Sequence, residues 1–334
     1  MNTTTDLRPL GSTALHVSAI GLGLAALGRP GYINVGHGRD LGDDHSREAM
    51  ERGAHDVLDA AYANGVRYFD AARSYGMAEK FLASWLAARR IAPGAVVVGS
   101  KWGYRYTADW RVDAIAHEIK EHSLPMFVRQ LAESRAALGA HLAVYQIHSA
   151  TLDSGVLGDA SIIDALARAR SCGLTIGLSV SGERQAETIW RALEVTRDGK
   201  PVFDTVQATW NLLERGAEEA LMAAHQAGRG VIAKEALANG RLTTRATGDE
   251  RGPTALLAHE AETLGATMDA LAIAAVLAQP WATIVLSGAT TVAQLESNVR
   301  AGTMALDTDT LERLSGMAMD SVTYWKERAA LPWN

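Results

Sequence analysis

The chain has 334 residues, 48% of them hydrophobic, a formal net charge of -6 and a single cysteine, Cys172. That apolar share is enough for a sizeable core, the acidic balance leaves no basic footprint for nucleic acid, and one thiol excludes an intrachain disulfide. Alternating strand and helix patterns run without a Pro/Gly/Ser-rich linker, so a single barrel domain over residues 1–334 is expected, with the cytoplasm as its default setting.

The opening Met1-Asn2-Thr3-Thr4-Thr5 lacks the charged start and apolar run of a secretory signal. Leu7 to Val17, punctuated by Pro9 and Gly11, reads as a hairpin placed to cap the bottom of a barrel, and Ala19 to Gly23 as a first buried strand. Gly21, Gly23 and Gly28 invite a dinucleotide-fingerprint reading, but the third glycine is misplaced and no early βαβ unit follows. Gly31 to Asp44 is loop-like; with His45 it brings His37, Asp40, Asp43 and Asp44 close in sequence, without the ordered spacing of a metal motif, so a solvated or lid-forming loop is expected and no metal. Helical periodicity over Arg47 to Asn64 stops at Gly65, and Val66 to Phe69 is the next strand.

A helix over Met77 to Arg90 is broken at Pro93-Gly94, and the β-branched run Ala95 to Gly99 ends in Ser100-Lys101. Trp102 to Leu124 is a long connection rich in aromatics, with Trp102, Tyr104, Tyr106 and Trp110 assigned to one rim. A helix over Pro125 to Gly139 precedes strand Leu142 to Ile147, which delivers His148. Helices follow over Ser161 to Cys172, Arg184 to Thr196 and Ala217 to Ala227, with strands at Leu174 to Leu178, Phe203 to Gln207 and Gly230 to Ala233. A polar excursion to Gly252 and helical stretches to Ala278 lead to a last strand, Thr283 to Leu286. The apolar region Leu271 to Leu286 is interrupted by Gln279 and Pro280, so it reads as helix end, turn and buried strand and not as a membrane span. A helix over Asp307 to Met317 leads to a tail with Tyr324, Trp325 and Trp333, placed either over a substrate pocket or against the barrel wall. Strands starting near 19, 66, 95, 142, 174, 203, 230 and 283 make eight βα units, the count of a closed (β/α)8 barrel in class α/β.

Asp70, Lys101 and His148 each stand where a strand becomes a loop, and Tyr75 sits on the loop after the second strand, so a barrel brings all four to one face. A phenol with a pKa of about 10 is a poor acid at neutral pH; a neighbouring ammonium lowers it, and a buried ammonium in turn requires a carboxylate. Lys101 and Asp70 suit those parts, and His148 suits a hydrogen bond to a carbonyl oxygen. Such a set polarises a carbonyl and hands it a proton. No side chain supplies hydride, so a nicotinamide or similar cofactor is implied.

The segments Leu10-Gly11-Ser12 through Gly21-Leu22-Gly23, Phe69-Asp70 through Tyr75-Gly76, Ser100-Lys101, Gln146-Ile147-His148, Gly177-Leu178-Ser179, Gln207 with Trp210 to Arg215, and Ser287 to Thr291 with Gln294-Leu295 and Asn298 together resemble the aldo-keto reductase superfamily. The resemblance implies a (β/α)8 barrel that interconverts an aldehyde or ketone and its alcohol with NADP, NAD being a second choice. It makes Tyr75 the general acid or base, tuned by Lys101 and Asp70, with His148 orienting the substrate. It assigns Gly23, Leu24, Ser179, Gln207, Lys234, Leu237, Gly240, Ala289, Thr290, Thr291, Gln294 and Asn298 to the cofactor, while the aromatic loop from Trp102 to Trp110 points to a hydroxylated or aromatic carbonyl substrate, with Trp102 and Tyr104 against it. Three positions depart from the pattern: Ser179-Val180 where Ser-Asn is usual, Lys234 where many members stack an aromatic ring on the nicotinamide, and Gln294 where many carry arginine at the 2'-phosphate. A nucleotide-sensing subunit with little turnover, similar to the barrel subunits of potassium channels, keeps the same four residues and is the alternative. A homo-oligomer is compatible with either reading, and neither calls for nucleic acid or a membrane as partner.

Overall fold

A computed structural model of the protein describes residues 6–246 and 253–334. The eight strand patterns become β1 (Ile20–Gly23), β2 (Tyr68–Asp70), β3 (Val97–Trp102), β4 (Leu142–Ala150), β5 (Thr175–Val180), β6 (Thr205–Thr209), β7 (Gly230–Lys234) and β8 (Ile284–Ser287). All pair in parallel in sequence order, and β8 closes the ring on β1 through Val285 opposite Ile20 and Leu286 opposite Gly21. The strands are followed in turn by α1 (Arg47–Ala63), α2 (Ala78–Ala88), α3 (Leu124–Leu138), α4 (Ala160–Ser171), α5 (Gln185–Leu193), α6 (Glu218–Gln226), α7 (Met268–Leu277) and α8 (Val292–Val299). This is the expected (β/α)8 barrel.

Local chemistry sets the helix starts. Ser46, Ser123 and Thr291 cap α1, α3 and α8, each accepting a backbone N–H three residues on, and Pro125 sits in the first turn of α3, where its missing N–H costs nothing.

Two cores hold the barrel. Inside its lower end, Leu10, Val17, Tyr68, Val97, Val144, Ile232 and Ile284 form a plug. The hairpin Arg8–Pro9 with His16–Val17 closes that end as expected. Its turn residue Gly11 has φ +58°, and a Cβ there would stand 2.3 Å from the Gly230 nitrogen, so only glycine lets the hairpin seat against β7. Between strands and helices, outward residues such as Phe69, Val98, Tyr145 and Ile147 meet Phe81, Trp85, Phe127 and Leu166 of the helices. Each such buried side chain contributes about 1.5–3 kcal/mol.

Strand alternation decides which residues reach the mouth. On β3, Lys101 faces inward and Trp102 therefore faces the helix layer, its ring 5.0 Å from that of Phe127. On β4, Tyr145 and Ile147 face outward while Gln146 and His148 face inward.

The loops hold structure that periodicity did not reveal. The connection after β3 contains an antiparallel ribbon, Tyr104–Tyr106 with Glu118–Lys120. The loop after β1 contains a short helix, His37–Leu41, and the tail after the helix Thr308–Ser315 contains another, Ser321–Ala329. The end of the polar excursion, 247–252, and Met1–Thr5 lie outside the described residues. Among the described residues no helix is long and apolar enough to cross a membrane.

Candidate active site

The barrel brings the four residues together at the carboxyl ends of β2, β3 and β4. Lys101 is fully buried, and its three ammonium protons have three acceptors: the Asp70 carboxylate, the Ala71 carbonyl at 3.1 Å and Tyr75 Oη at 3.4 Å. Asp70 also accepts from Gln207 Nε2 at 3.0 Å. Tyr75 Oη lies 3.4 Å from His148 Nε2, and Ser74 Oγ lies 3.3 Å from the other ring nitrogen. Because Tyr75 accepts from Lys101, its own proton is free to be given away. The loop that carries Tyr75 is pinned by Ala71 N to Gly99 O at 2.8 Å, Arg73 N to Lys101 O at 3.1 Å and Met77 N to Gly28 O at 2.7 Å.

Electrostatics fix the resting protonation states. Burial, and after it Lys101 and Arg29, hold His148 well below the ordinary histidine range, so it is a neutral imidazole. Tyr75 is pushed well above the usual phenol value by burial and by Asp70 and Glu118, against which Arg29 acts. The direction is opposite to the lowering expected from Lys101, because burial of the phenol comes first among the causes and Asp70 and Glu118 add to it. Tyr75 therefore starts as a proton donor.

Asp70, Tyr75 and His148 sit in the wall of a cavity of about 720 Å³, within the range of small-molecule and cofactor sites, and Lys101 is buried behind them. At one end Arg29, Tyr104, Glu118 and Trp333 surround Tyr75 and His148; at the other, Asp40, Arg245, Asp269, Thr290 and Gln294 gather at the start of α8. Of the residues assigned to a cofactor, Gly23, Ser179, Gln207, Lys234, Leu237, Gly240, Ala289, Thr290, Gln294 and Asn298 line this cavity. Leu24 does not: it is fully buried in the strand–helix core, and its neighbours Gly23, Ala25 and Ala26 form the wall. Thr291 turns its hydroxyl to Gln294 N as the α8 cap. Trp102, assigned to substrate, lies behind the wall for the reason of alternation given above, whereas Tyr104 lines the cavity. Tyr106 and Trp110 border a separate pocket with Arg47 and Met77.

The donor set fits a nicotinamide dinucleotide. Ser179 and Gln207 stand beside the tetrad, and Gly288 has open space where a Cβ would be. Lys234, at the position where an aromatic ring is common, donates to Thr209 Oγ1 at 2.6 Å, and burial brings its pKa down to about 8.

Several site residues carried no recognised motif. Arg29, 3% exposed, donates to Ser74 O at 3.2 Å and Glu118 Oε2 at 3.1 Å, and its guanidinium lies 5.0–5.3 Å from the ring centres of Tyr32, Tyr75 and Trp333. The one signal for it was its place in Gly28-Arg29-Pro30-Gly31, a loop at a strand's carboxyl end. Trp333 stacks on His117 with ring centres 3.7 Å apart, so of the two placements for the tail its final tryptophan takes the one over the cavity; Tyr324 takes the other, buried against Asn211, which donates to its hydroxyl at 3.0 Å. Glu235 pairs with Arg328 of the tail helix; burial raises its carboxyl, but Arg328 and Lys234 overcome this and hold it at about 2. The loop residues His37, Asp40 and His45 do not converge. His37 is enclosed, and burial lowers it to about 4. Among the described residues no group of three His, Cys, Asp or Glu side chains is placed to hold a metal ion.

Comparison with known proteins agrees with this fold. A structure of the aldo-keto reductase AKR11C1 from Bacillus halodurans, a holo form, superposes with a TM-score of 0.72 at 22% identity over 95% of this chain and 97% of that one. The putative aldo-keto reductase PA4992 from Pseudomonas aeruginosa superposes with a TM-score of 0.63 at 24% identity over 89% and 95%. In sequence, the uncharacterized oxidoreductase YrpG of Bacillus subtilis is 28% identical, across 92% of this chain and 94% of its own. The model of the Aldo/keto reductase family matches residues 19–318, nearly the whole barrel with its Asp70, Tyr75, Lys101 and His148, and the chain therefore belongs to that family of oxidoreductases.

Proposed function

We propose that the protein interconverts a small aldehyde or ketone and its alcohol by hydride transfer to or from a nicotinamide dinucleotide, with Tyr75 as general acid and base. The observation that carries this reading is the Tyr75 hydroxyl at the cavity floor, 3.4 Å from both the Lys101 ammonium and the neutral His148 imidazole. A carbonyl oxygen lodged between Tyr75 Oη and His148 Nε2 takes a hydrogen bond from each in their N–H and O–H forms. When bound, the dinucleotide supplies the hydride for the carbonyl carbon. As charge grows on the oxygen, Tyr75 gives it a proton, and the phenolate left behind is stabilised by Lys101, whose hydrogen bond to Tyr75 Oη is already in place. Asp70 is the counter-charge of the buried Lys101 ammonium, and Gln207 fixes the second oxygen of Asp70.

The walls support a substrate with polar substituents. Tyr32, Tyr104 and Trp333 are flat platforms, and the Arg29–Glu118 and Glu235–Arg328 pairs beside them offer charged hydrogen-bonding groups to hydroxyls. Mixing the purified protein with NADH or NADPH and a panel of hydroxylated and aromatic aldehydes tests the reading. Nucleotide oxidation matched mole for mole by alcohol is the expected result; tight nucleotide binding with no turnover on any of them would overturn it in favour of a sensor.

A further inference from the structure

At the end of the cavity far from Tyr75, the carboxylate of Asp40 is held by four donors from two other loops. Both terminal nitrogens of Arg245 donate to it, as do Thr290 Oγ1 at 2.9 Å and Gln294 Nε2 at 2.9 Å. Asp40 belongs to the loop after β1, Arg245 to the loop after β7, and Thr290 and Gln294 flank the first turn of α8. The first two loops are tied together beside the pair, by Val35 N to Asn239 O at 3.0 Å and Asn239 Nδ2 to Asn34 Oδ1 at 3.3 Å, so Asp40 is fixed in place by its surroundings.

This is an anion site with its anion built in. An arginine, a threonine hydroxyl and a carboxamide at a helix start are groups that would bind a phosphate monoester. Here all of them are turned to a carboxylate of the chain. Asp269 lines the same end, so the charged side chains that line it among the described residues are two carboxylates and one guanidinium, and that guanidinium is spent on Asp40. The exposed Arg39 lies outside this lining, beside Gly36. A further phosphate would meet two carboxylates and donors already occupied. A vicinal diol meets the opposite conditions, since a carboxylate accepts hydrogen bonds from ribose hydroxyls, the device by which dinucleotide sites prefer the unphosphorylated ribose.

Resting on the hydride-transfer reading above, we propose that Asp40 is the residue that selects the cofactor: it excludes the 2'-phosphate and accepts from the adenosine ribose, so that the protein takes NAD(H) in preference to NADP(H). The test is a binding measurement and needs no turnover. NADH and NADPH are titrated into the full chain by nucleotide fluorescence, for the wild type, Asp40→Asn and Asp40→Ser, with melting curves to establish that each variant is folded. The wild type is expected to bind NADH at least tenfold more tightly than NADPH. Both variants are expected to lower that ratio at least tenfold, chiefly by tighter NADPH binding as Arg245, Thr290 and Gln294 become free. A wild type that binds NADPH as tightly as NADH, or variants that leave the ratio unmoved, would overturn the assignment of Asp40 while leaving the oxidoreductase reading intact. Binding of neither nucleotide would overturn both.

Discussion

Replacing Lys101 with methionine removes the ammonium while keeping most of the volume of the side chain. Asp70 is 2% exposed and would be left with the single 3.0 Å hydrogen bond from Gln207. At the short separation of this pair the gross attraction is about 5 kcal/mol for an effective dielectric of about 20, and stripping one partner from a buried pair typically costs about 3–5 kcal/mol. The expected loss of stability for Lys101→Met is therefore about 3–5 kcal/mol, which for a domain of this size lowers the melting temperature by roughly 4–7 °C. Removing the second charge as well, in Lys101→Met with Asp70→Asn, leaves no buried ion and should restore more than half of that loss. Urea unfolding of the wild type, both single variants and the double variant gives the coupling directly. A Lys101→Met variant within about 1 kcal/mol of wild type, or single effects that simply add in the double variant, would refute the claim that the two charges exist for each other.

Gly28 offers a second test, because a Cβ there would lie 2.2 Å from the Tyr75 carbonyl oxygen and 2.7 Å from the Ala78 nitrogen, both backbone atoms. Gly28→Ala should destabilise by about 1–3 kcal/mol and, by displacing Tyr75, lower kcat roughly 100-fold, as unfolding and initial-rate measurements would report. Glu235, held at about 2 against an ordinary 4.5, contributes stability that is complete above pH 4.5 and is lost as the pH falls toward 2. The contribution is on the order of 3 kcal/mol, and Glu235→Gln should flatten the acid limb of the stability curve between those values. For His148 the shift is downward, so the imidazole stays neutral far below pH 6.5 and log(kcat/KM) should show no step near that pH; a step that disappears in His148→Asn would contradict the assignment.

The barrel was legible because every strand pattern, from Ala19 to Thr283, sits between turn signals, and because three of the four chemical residues end strands. Trp102 and Leu24, both assigned to the site, do not reach the cavity wall. Trp102 follows Lys101 on β3, and neighbours on a strand point opposite ways, so a lysine in the mouth placed the tryptophan in the helix layer. Leu24 was assigned beside Gly23 and is likewise core. The groups that complete the cavity escaped for a different reason. Arg29 meets Glu118 across 89 residues, and Asp40 meets Gln294 across 254, and no local period records such pairs. The NADP expectation rests on a resemblance, which does not show that the Gln294 amide donates to Asp40. The direction of the Tyr75 shift required burial, which a sequence does not state.

The central claim is that the Tyr75 hydroxyl carries the proton while other groups hold the nucleotide, and it is tested most directly by Tyr75→Phe. Nucleotide affinity is read by fluorescence titration, and turnover by nicotinamide absorbance on the best aldehyde found for the wild type. The account predicts dissociation constants within about threefold of wild type and a kcat lowered at least 100-fold, the usual scale for losing a positioned acid. A phenylalanine variant that turns over at the wild-type rate would contradict it.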